Sequence, residues 1–320
     1  MCPIDFFYNI HCKIENKSPF LTKIKYYAIQ RFFIRLLLRI YLRLTCNNPN
    51  YSLERCDKKS RRVIVSFTSF PKRIHKVWIV VETILRQTLK PDKLILWLSK
   101  EEFPTLDLLP KKLLNQRKRG LEIVLVDGNI RSHKKYYYVM KKYPEDYVIT
   151  IDDDLIYRSS LIQKLVDAES KYPGSICSFA REIPTYKDGV LKPNSKWDKT
   201  YREYPIDGEL LHDNSGRKYF FLTGIGTIYP PHSLYEDIFN IELALKLCPL
   251  ADDIWLNTMA KLKGTKVTFV PGFGKWFYIL YFKNVMLCAE NIWQGQNDIQ
   301  IESVRKYYID RLGIDPYKED

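Results

Sequence analysis

From residue 63 onward the chain alternates two hydrophobic rhythms. Val63-Ile-Val-Ser-Phe-Thr68 is an apolar run of strand length that ends in a Ser/Phe/Pro turn, after which Val77, Val80, Val81, Ile84 and Leu85 recur at helical spacing. Leu94-Ile-Leu-Trp-Leu98 predicts a second strand, and Pro110 to Arg119 predicts a helix closed by Gly120. Leu121-Glu-Ile-Val-Leu-Val126 predicts a third strand, Ser132 to Lys142 a helix, and Tyr147 to Ile151 a fourth strand. Strands alternating with helices predict a mixed α/β fold whose sheet is mainly parallel, with helices on both faces. Ligands of such sheets collect at the carboxyl ends of the strands. Thr68 to Arg73, Asp127 to Lys135 and Asp152 to Asp154 are therefore expected to face one crevice.

Beyond residue 157 the pattern weakens. Ser175 to Ala180 predicts one more strand, while Arg181 to Ser215 is rich in Pro, Tyr and Lys and shows little periodicity. Lys218 to Pro231 reads as strand, glycine turn, strand, with the turn carried by Thr223-Gly-Ile-Gly-Thr227. A helix runs from the acidic pair Asp252-Asp253 to about Leu262, Thr265 to Val270 is a late strand, and Ile299 to Leu312 is a last helix closed by Gly313. The expected organisation is an arm and linker over 1–62, then one α/β unit over 63–320. Within that unit a nucleotide-type half spans 63–157 and an irregular, substrate-shaping half spans 158–320.

Charge separates the arm from the rest. The formal net charge is +14, and residues 1–62 hold 13 Lys/Arg against 4 Asp/Glu, a local +9 that leaves +5 for the remainder. Arg31, Arg35, Arg39 and Arg43 fall four apart, so on a helix they form one basic stripe, with Phe, Leu, Ile and Tyr over the rest of the surface. A cation every fourth residue rules out a spanning helix of about 20 apolar residues. Two readings remain: a basic amphipathic helix in an anionic membrane interface, or a terminal helix packed on the domain with its arginines solvated. A secretory signal fits poorly, because arginines stud the apolar run and no small-residue cleavage site follows.

Hydrophobic residues at 46% and aromatics at 14% exclude a disordered polymer. Seven scattered cysteines without a C-x-x-C pair indicate neither a disulfide framework nor a zinc site, which points to a reducing cytosol. The modest charge after residue 62 and the lack of a binding motif argue against nucleic acid.

Three consecutive carboxylates, Asp152-Asp-Asp154, follow the fourth strand directly. Side by side they repel, and a D-x-D at the carboxyl end of a parallel strand suits Mn2+ or Mg2+ bridging to a diphosphate. Asp152 and Asp154 have the spacing for the metal, with Asp153 turned elsewhere or hydrogen-bonded beside the donor. The bland reading, a cap on the next helix, is weaker because Arg158-Ser-Ser160 offers its own cap.

Thr68-Ser-Phe-Pro-Lys-Arg73, Pro91-Asp-Lys-Leu-Ile-Leu-Trp-Leu98, Ile151-Asp-Asp-Asp-Leu-Ile-Tyr157 and Ala251-Asp-Asp-Ile-Trp255, in this order, resemble bacterial GT-A-fold glycosyltransferases. The resemblance is to the family-2-like group of the capsular and O-antigen polysaccharide type. It covers about residues 62 to 312 and leaves the arm uncovered. It implies a GT-A-like sheet and transfer of a sugar, most often from a UDP-hexose, to a growing glycan. In that light residues 63–157 hold the nucleotide and 158–320 serve acceptor and catalysis. Asp154 matches the metal ligand and Asp152 the acid that reaches ribose or metal. Thr68 and Arg73 fall in the loop that holds the nucleotide, and Lys134 and Lys135 in a segment that meets uridine or diphosphate, against a solvated helix face. Asp127 is a base contact or an ordinary turn residue. Gly224 either lets the backbone approach the donor sugar or belongs to a plain hairpin turn. Of the second acidic pair, Asp253 or Asp252 is the general base that takes the acceptor's proton, unless both merely cap their helix. Asn297-Asp298 is a cap or an acceptor-side contact.

The resulting expectation is a metal-dependent, inverting glycosyltransferase acting on a lipid-linked acceptor at the cytoplasmic membrane face. Two rivals stand beside it: a sugar-phosphate nucleotidyltransferase, and a non-catalytic, membrane-peripheral binding module. Against the nucleotidyltransferase, Thr68 to Arg73 contains no glycine for a triphosphate-gripping loop. The Gly224 segment lacks the ending of a phosphate-binding P-loop, which excludes that kind of NTPase.

Overall fold

A computed structural model of the chain describes residues 2–14, 18–46, 48–53, 61–187, 190–199, 208–272, 277–279 and 295–318. Its strands are β1 (Val63–Thr68), β2 (Lys93–Ser99), β3 (Leu121–Val126), β4 (Tyr147–Thr150), β5 (Ile176–Ser178), β6 (Ala180–Glu182), β7 (Leu211–Asp213), β8 (Tyr219–Phe221), β9 (Thr227–Tyr229) and β10 (Val267–Phe269). The helices are α1 (Pro3–Lys13), α2 (Pro19–Lys23), α3 (Tyr26–Leu44), α4 (Val77–Leu85), α5 (Lys111–Asn115), α6 (Lys134–Lys142), α7 (Leu161–Lys171), α8 (Ile241–Leu247), α9 (Asp252–Lys263) and α10 (Gln296–Leu312).

Among the described residues one large sheet has the order β3-β2-β1-β4-β9-β5-β10-β7. The first four strands are parallel, as is the β5–β10 pair; β9 runs antiparallel to β4 and β5, and β7 antiparallel to β10. This is the expected mixed α/β architecture with a mainly parallel sheet. Alternate side chains sort to its two faces. Ile64, Ile95, Val126 and Val148 pack with Val139 of α6 on one side. Val65, Phe67, Leu94, Leu96 and Ile149 meet the wholly buried α4 on the other. Because β1 pairs Ser66 with Thr150 of β4 and Thr68 with Trp97 of β2, the carboxyl ends of these strands open at one edge.

Some local expectations change. The segment around Gly224 is not a hairpin, since β8 pairs with β6 in a separate two-stranded sheet while β9 inserts between β4 and β5. The helix predicted over 110–119 is α5 followed by a tight 3-10 turn, Gln116–Arg119, ended by Gly120 at φ +106°. The last helix begins at Gln296 behind Gly295, so neither Asn297 nor Asp298 caps it. Cys56 and Cys288 lie outside the described residues, as do 291–294.

The arm packs on the domain. Ile4, Tyr8 and Ile14, with Ile34, Leu38 and Leu42 of α3, join the same hydrophobic core as β1 and α4. The arginines beside that buried stripe are not simply solvated: Arg35 Nε donates to the Tyr278 carbonyl (2.8 Å) and Arg31 to the Ile14 carbonyl (3.2 Å). Among the described residues no helix is long and apolar enough to cross a membrane.

Candidate active site

The carboxyl edge of β1 and β4 lines a cavity of about 580 Å3. Asp152, Asp153 and Asp154 enter it immediately after β4, held from two sides. On one side the Asp152 amide donates to the Gly224 carbonyl (2.9 Å), and the Tyr157 hydroxyl donates to the same oxygen (2.6 Å). On the other, the Ile279 amide donates to the Asp154 carbonyl (2.8 Å) and the Ile156 amide to the Phe277 carbonyl (2.8 Å). Gly224 has no room for a side chain, because a Cβ there would lie 1.9 Å from Asp152 Oδ2. Its place in the sequence is thus explained by close approach to the acidic loop.

Each carboxylate has its own partner. Asp153 is buried and accepts from Ser69 Oγ (2.5 Å) and Arg73 Nη1 (2.7 Å). The same Arg73 nitrogen lies 2.9 Å from Asp154 Oδ2, so one guanidinium serves two acids. It does not neutralise both. Burial raises the Asp154 carboxyl to about 7, Arg73 opposes the rise, and the neighbouring Asp153 and Asp152 add to it. Asp152 is the most open of the three and contacts Lys135 Nζ at 2.9 Å.

Lys135 joins the two acidic clusters. Its ammonium lies 2.7 Å from Asp252 Oδ2, almost fully buried. Burial alone would lower its pKa, but Asp152, Asp252 and Asp253 outweigh burial and hold it well above the ordinary lysine value. Asp252 and Asp253 lie in the first turn of α9, where Ala251 is the cap residue and no side chain caps. The capping reading of this pair is therefore corrected, because both side chains turn to Thr223 instead. The Thr223 amide donates to Asp253 Oδ1 (2.8 Å), and its hydroxyl lies within 2.9 Å of Asp252 Oδ2 and 2.5 Å of Asp253 Oδ1.

The pair is electrostatically split. Burial pushes Asp252 up, but Lys135 and His133, with hydrogen bonds from Lys135 and Thr223, leave it below the usual carboxylate range. Burial and repulsion from Asp252 raise Asp253 to about 6 against the pull of Lys135. Two adjacent acids with opposed shifts mark Asp252 as a fixed anion and Asp253 as the group able to exchange a proton near neutrality.

Most of the expected residues converge: Thr68, Arg73, Lys134, Lys135, Asp152, Asp153, Asp154, Gly224, Asp252 and Asp253 all line the cavity. Thr68 also donates to the Trp97 carbonyl (2.8 Å), which fixes its rotamer at the strand end. Lys134 and Lys135 are buried, so the solvated-face reading is corrected; Lys134 is held by Asn129 Oδ1 (2.6 Å) and Glu102 (3.5 Å). Asp127 is a second correction. It sits in the exposed turn before Gly128, pairs with Lys100 (2.8 Å) and does not line the cavity. Ser69 and Arg131 line it from within the segments expected to face the crevice, while Arg181 and Asn194 line it without having been expected. Arg181 and Asn194 both fall in the aperiodic stretch. Asn297 also lines the cavity and donates to Asn194 (3.0 Å).

No family model and no curated protein matches this sequence. Two solved structures similar to it are 4-diphosphocytidyl-2C-methyl-D-erythritol synthases, one of them from Anaerococcus prevotii. The first is 10% identical, covers 73% of this chain and 99% of its own, and superposes with a TM-score of 0.42. The Anaerococcus prevotii structure is 14% identical, covers 75% of this chain and 96% of its own, with a TM-score of 0.41. They are cytidylyltransferases, not glycosyltransferases, so nothing found supports the expected capsular or O-antigen glycosyltransferase using a UDP-sugar, and that expectation is withdrawn. Similarity this distant carries no substrate or activity to this chain. The chemistry has to be read from its own side chains.

Proposed function

We propose that this protein is a nucleotide-dependent transferase that performs nucleotidyl transfer. A phosphate-bearing acceptor attacks the α-phosphorus of a nucleoside triphosphate; the new P–O bond forms as the α–β bridge breaks, and pyrophosphate leaves. The supporting observation is the set of cations in the acidic cavity: Arg73, the 131–135 segment with Arg131, Lys134 and Lys135, and Arg181 all line it. The loop after β1 lacks the glycines of a triphosphate grip, and these side chains supply the positive charge instead. A cavity of about 580 Å3 is within the range of small-molecule and cofactor sites.

The residues present suit Mg2+ or Mn2+. Asp152 and Asp154 offer hard carboxylate oxygens from one loop, and such ions bind through one or two carboxylates plus phosphates and water. Bound there, the ion would neutralise charge on the phosphates and on the leaving pyrophosphate. Among the described residues no group of three or more His, Cys, Asp or Glu side chains is placed to hold a metal ion, so an ion here would need phosphate and water for its remaining ligands. Arg73, which bridges Asp153 and Asp154, is placed to contact phosphate as well.

Asp253 has a specific role in this reading. The second ionisation of a phosphate monoester lies near 6, matching the value of about 6 to which burial and Asp252 raise this carboxyl. Asp253 accepts the acceptor's last proton and leaves the attacking oxygen fully anionic. Lys135 keeps Asp252 ionised beside it and positions Asp152. The test is incubation with each of the four ribonucleoside triphosphates, Mg2+ and a panel of sugar and polyol phosphates, followed by a coupled pyrophosphate assay. Acceptor-dependent pyrophosphate release is expected; nucleotide consumption that never yields pyrophosphate would refute it.

A further inference from the structure

The face of α3 that points away from the domain is apolar, not basic. Ile34, Leu38 and Leu42 are buried against the core and Arg31, Arg35 and Arg39 lie half-buried alongside. This turns Phe32, Phe33, Leu36, Leu37, Ile40 and Leu44 to solvent; Phe32, Phe33 and Leu37 are each more than half exposed. Phe20 and Ile24, at and just after α2, extend the patch at 69% and 51% exposure. A continuous apolar surface of this kind marks an interaction site rather than ordinary scatter.

The charge around it selects the partner. Residues 18–53 carry Lys23, Lys25, Arg31, Arg35, Arg39 and Arg43 and not one Asp or Glu. Lys25 and Arg43 are exposed at the two ends of α3, and Arg39 is half-buried along its flank. Large apolar side chains bordered by cations match the boundary between lipid headgroups and acyl chains when the headgroups are anionic. A second copy of this chain fits less well, because docking two such faces would oppose cation to cation.

We infer that the exposed face of α3 docks the protein onto an anionic membrane surface. The helix lies in the interface, with Phe33, Leu37 and Ile40 in the acyl boundary and its cations at the headgroups. Docking is also connected to the cavity. Arg35 donates to the carbonyl of Tyr278, which lines the cavity, and the adjacent Ile279 amide holds the Asp154 carbonyl. The chain thus presents the acidic edge at a fixed orientation to the lipid plane. This inference does not depend on the reaction proposed above.

The test is co-sedimentation of the full chain with vesicles of phosphatidylcholine alone and of equal phosphatidylcholine and phosphatidylglycerol. A variant carrying Phe33→Ser, Leu37→Ser and Ile40→Ser changes only exposed positions. The parent is expected to bind the phosphatidylglycerol vesicles selectively, more weakly as salt rises, and the variant to lose affinity by about a hundredfold. Should the triple variant misfold by circular dichroism, Lys25→Glu with Arg43→Glu is expected to reduce binding in the same assay. Equal binding by parent and folded variant, or equal binding to both vesicle types, would overturn the inference. So would a dimer of the parent by light scattering that the variant abolishes while neither binds vesicles.

Discussion

Replacing Asp253 by Asn should stabilise the fold at neutral pH while removing its proposed proton-accepting role. Asn keeps an Oδ1 that can accept from the Thr223 amide and hydroxyl, so the local geometry has no reason to change. The carboxyl is raised to about 6, about two units above the usual aspartate value near 3.9. A carboxyl that prefers its proton in the folded state costs stability once solution pH removes that proton. The cost is absent below about pH 4, grows as pH rises through the folded value, and is complete above it. At about 1.4 kcal/mol per unit, two units give nearly 3 kcal/mol; allowing for partial exposure to the cavity leaves about 2 kcal/mol. With an unfolding entropy of roughly 2 cal/mol/K per residue, that is about 3 °C in Tm for a chain of 320 residues. Scanning calorimetry of both proteins at pH 4 and pH 8 reads it directly. Asp253→Asn should match the parent at pH 4 and exceed it at pH 8. A gain equal at both pH values, or a loss at pH 8, would show that Asp253 is not a strained, proton-seeking carboxyl.

Three further outcomes follow from the same geometry. Lys135→Met leaves the buried Asp252 without its cation and should cost about 3 kcal/mol, read as a lower urea midpoint at unchanged slope. Gly224→Ala forces a methyl to within 1.9 Å of Asp152 Oδ2; turnover should fall at least tenfold with the far-ultraviolet circular dichroism preserved. Asp154→Ala should abolish turnover and weaken Mn2+ binding, measured by electron paramagnetic resonance, while the protein stays folded.

Much of the frame was legible because its signals are local. The apolar run of β1, the helical spacing of α4 and the three acids after β4 each stand within a few neighbouring residues, and parallel topology brings their ends together. What escaped depends on contacts distant in sequence. Nothing near Lys135 reveals that Asp252, 117 positions later, completes its ion pair. Thr223, directly before the conspicuous Gly224, carries no local signal of its own although it holds both acids of α9. In α3 two stripes, Ile34/Leu38/Leu42 and Arg31/Arg35/Arg39/Arg43, share a spacing of four, so periodicity alone does not say which is buried. The carbonyl of Tyr278, 243 residues from Arg35, helps to decide it. Asp127 failed for the opposite reason: Asp-Gly reads the same way whether its turn faces a crevice or, as here, open solvent.

Nucleotidyl transfer would take place in the cavity of Asp152, Asp154, Lys135 and Asp253. Phosphorus-31 NMR of the full chain with a nucleoside triphosphate, Mg2+ and a phosphorylated acceptor follows both products at once. Pyrophosphate is expected to appear in step with a new diphosphate diester, with both signals absent for Asp152→Ala. Release of a nucleoside diphosphate without pyrophosphate, or undiminished turnover in that variant, would contradict it.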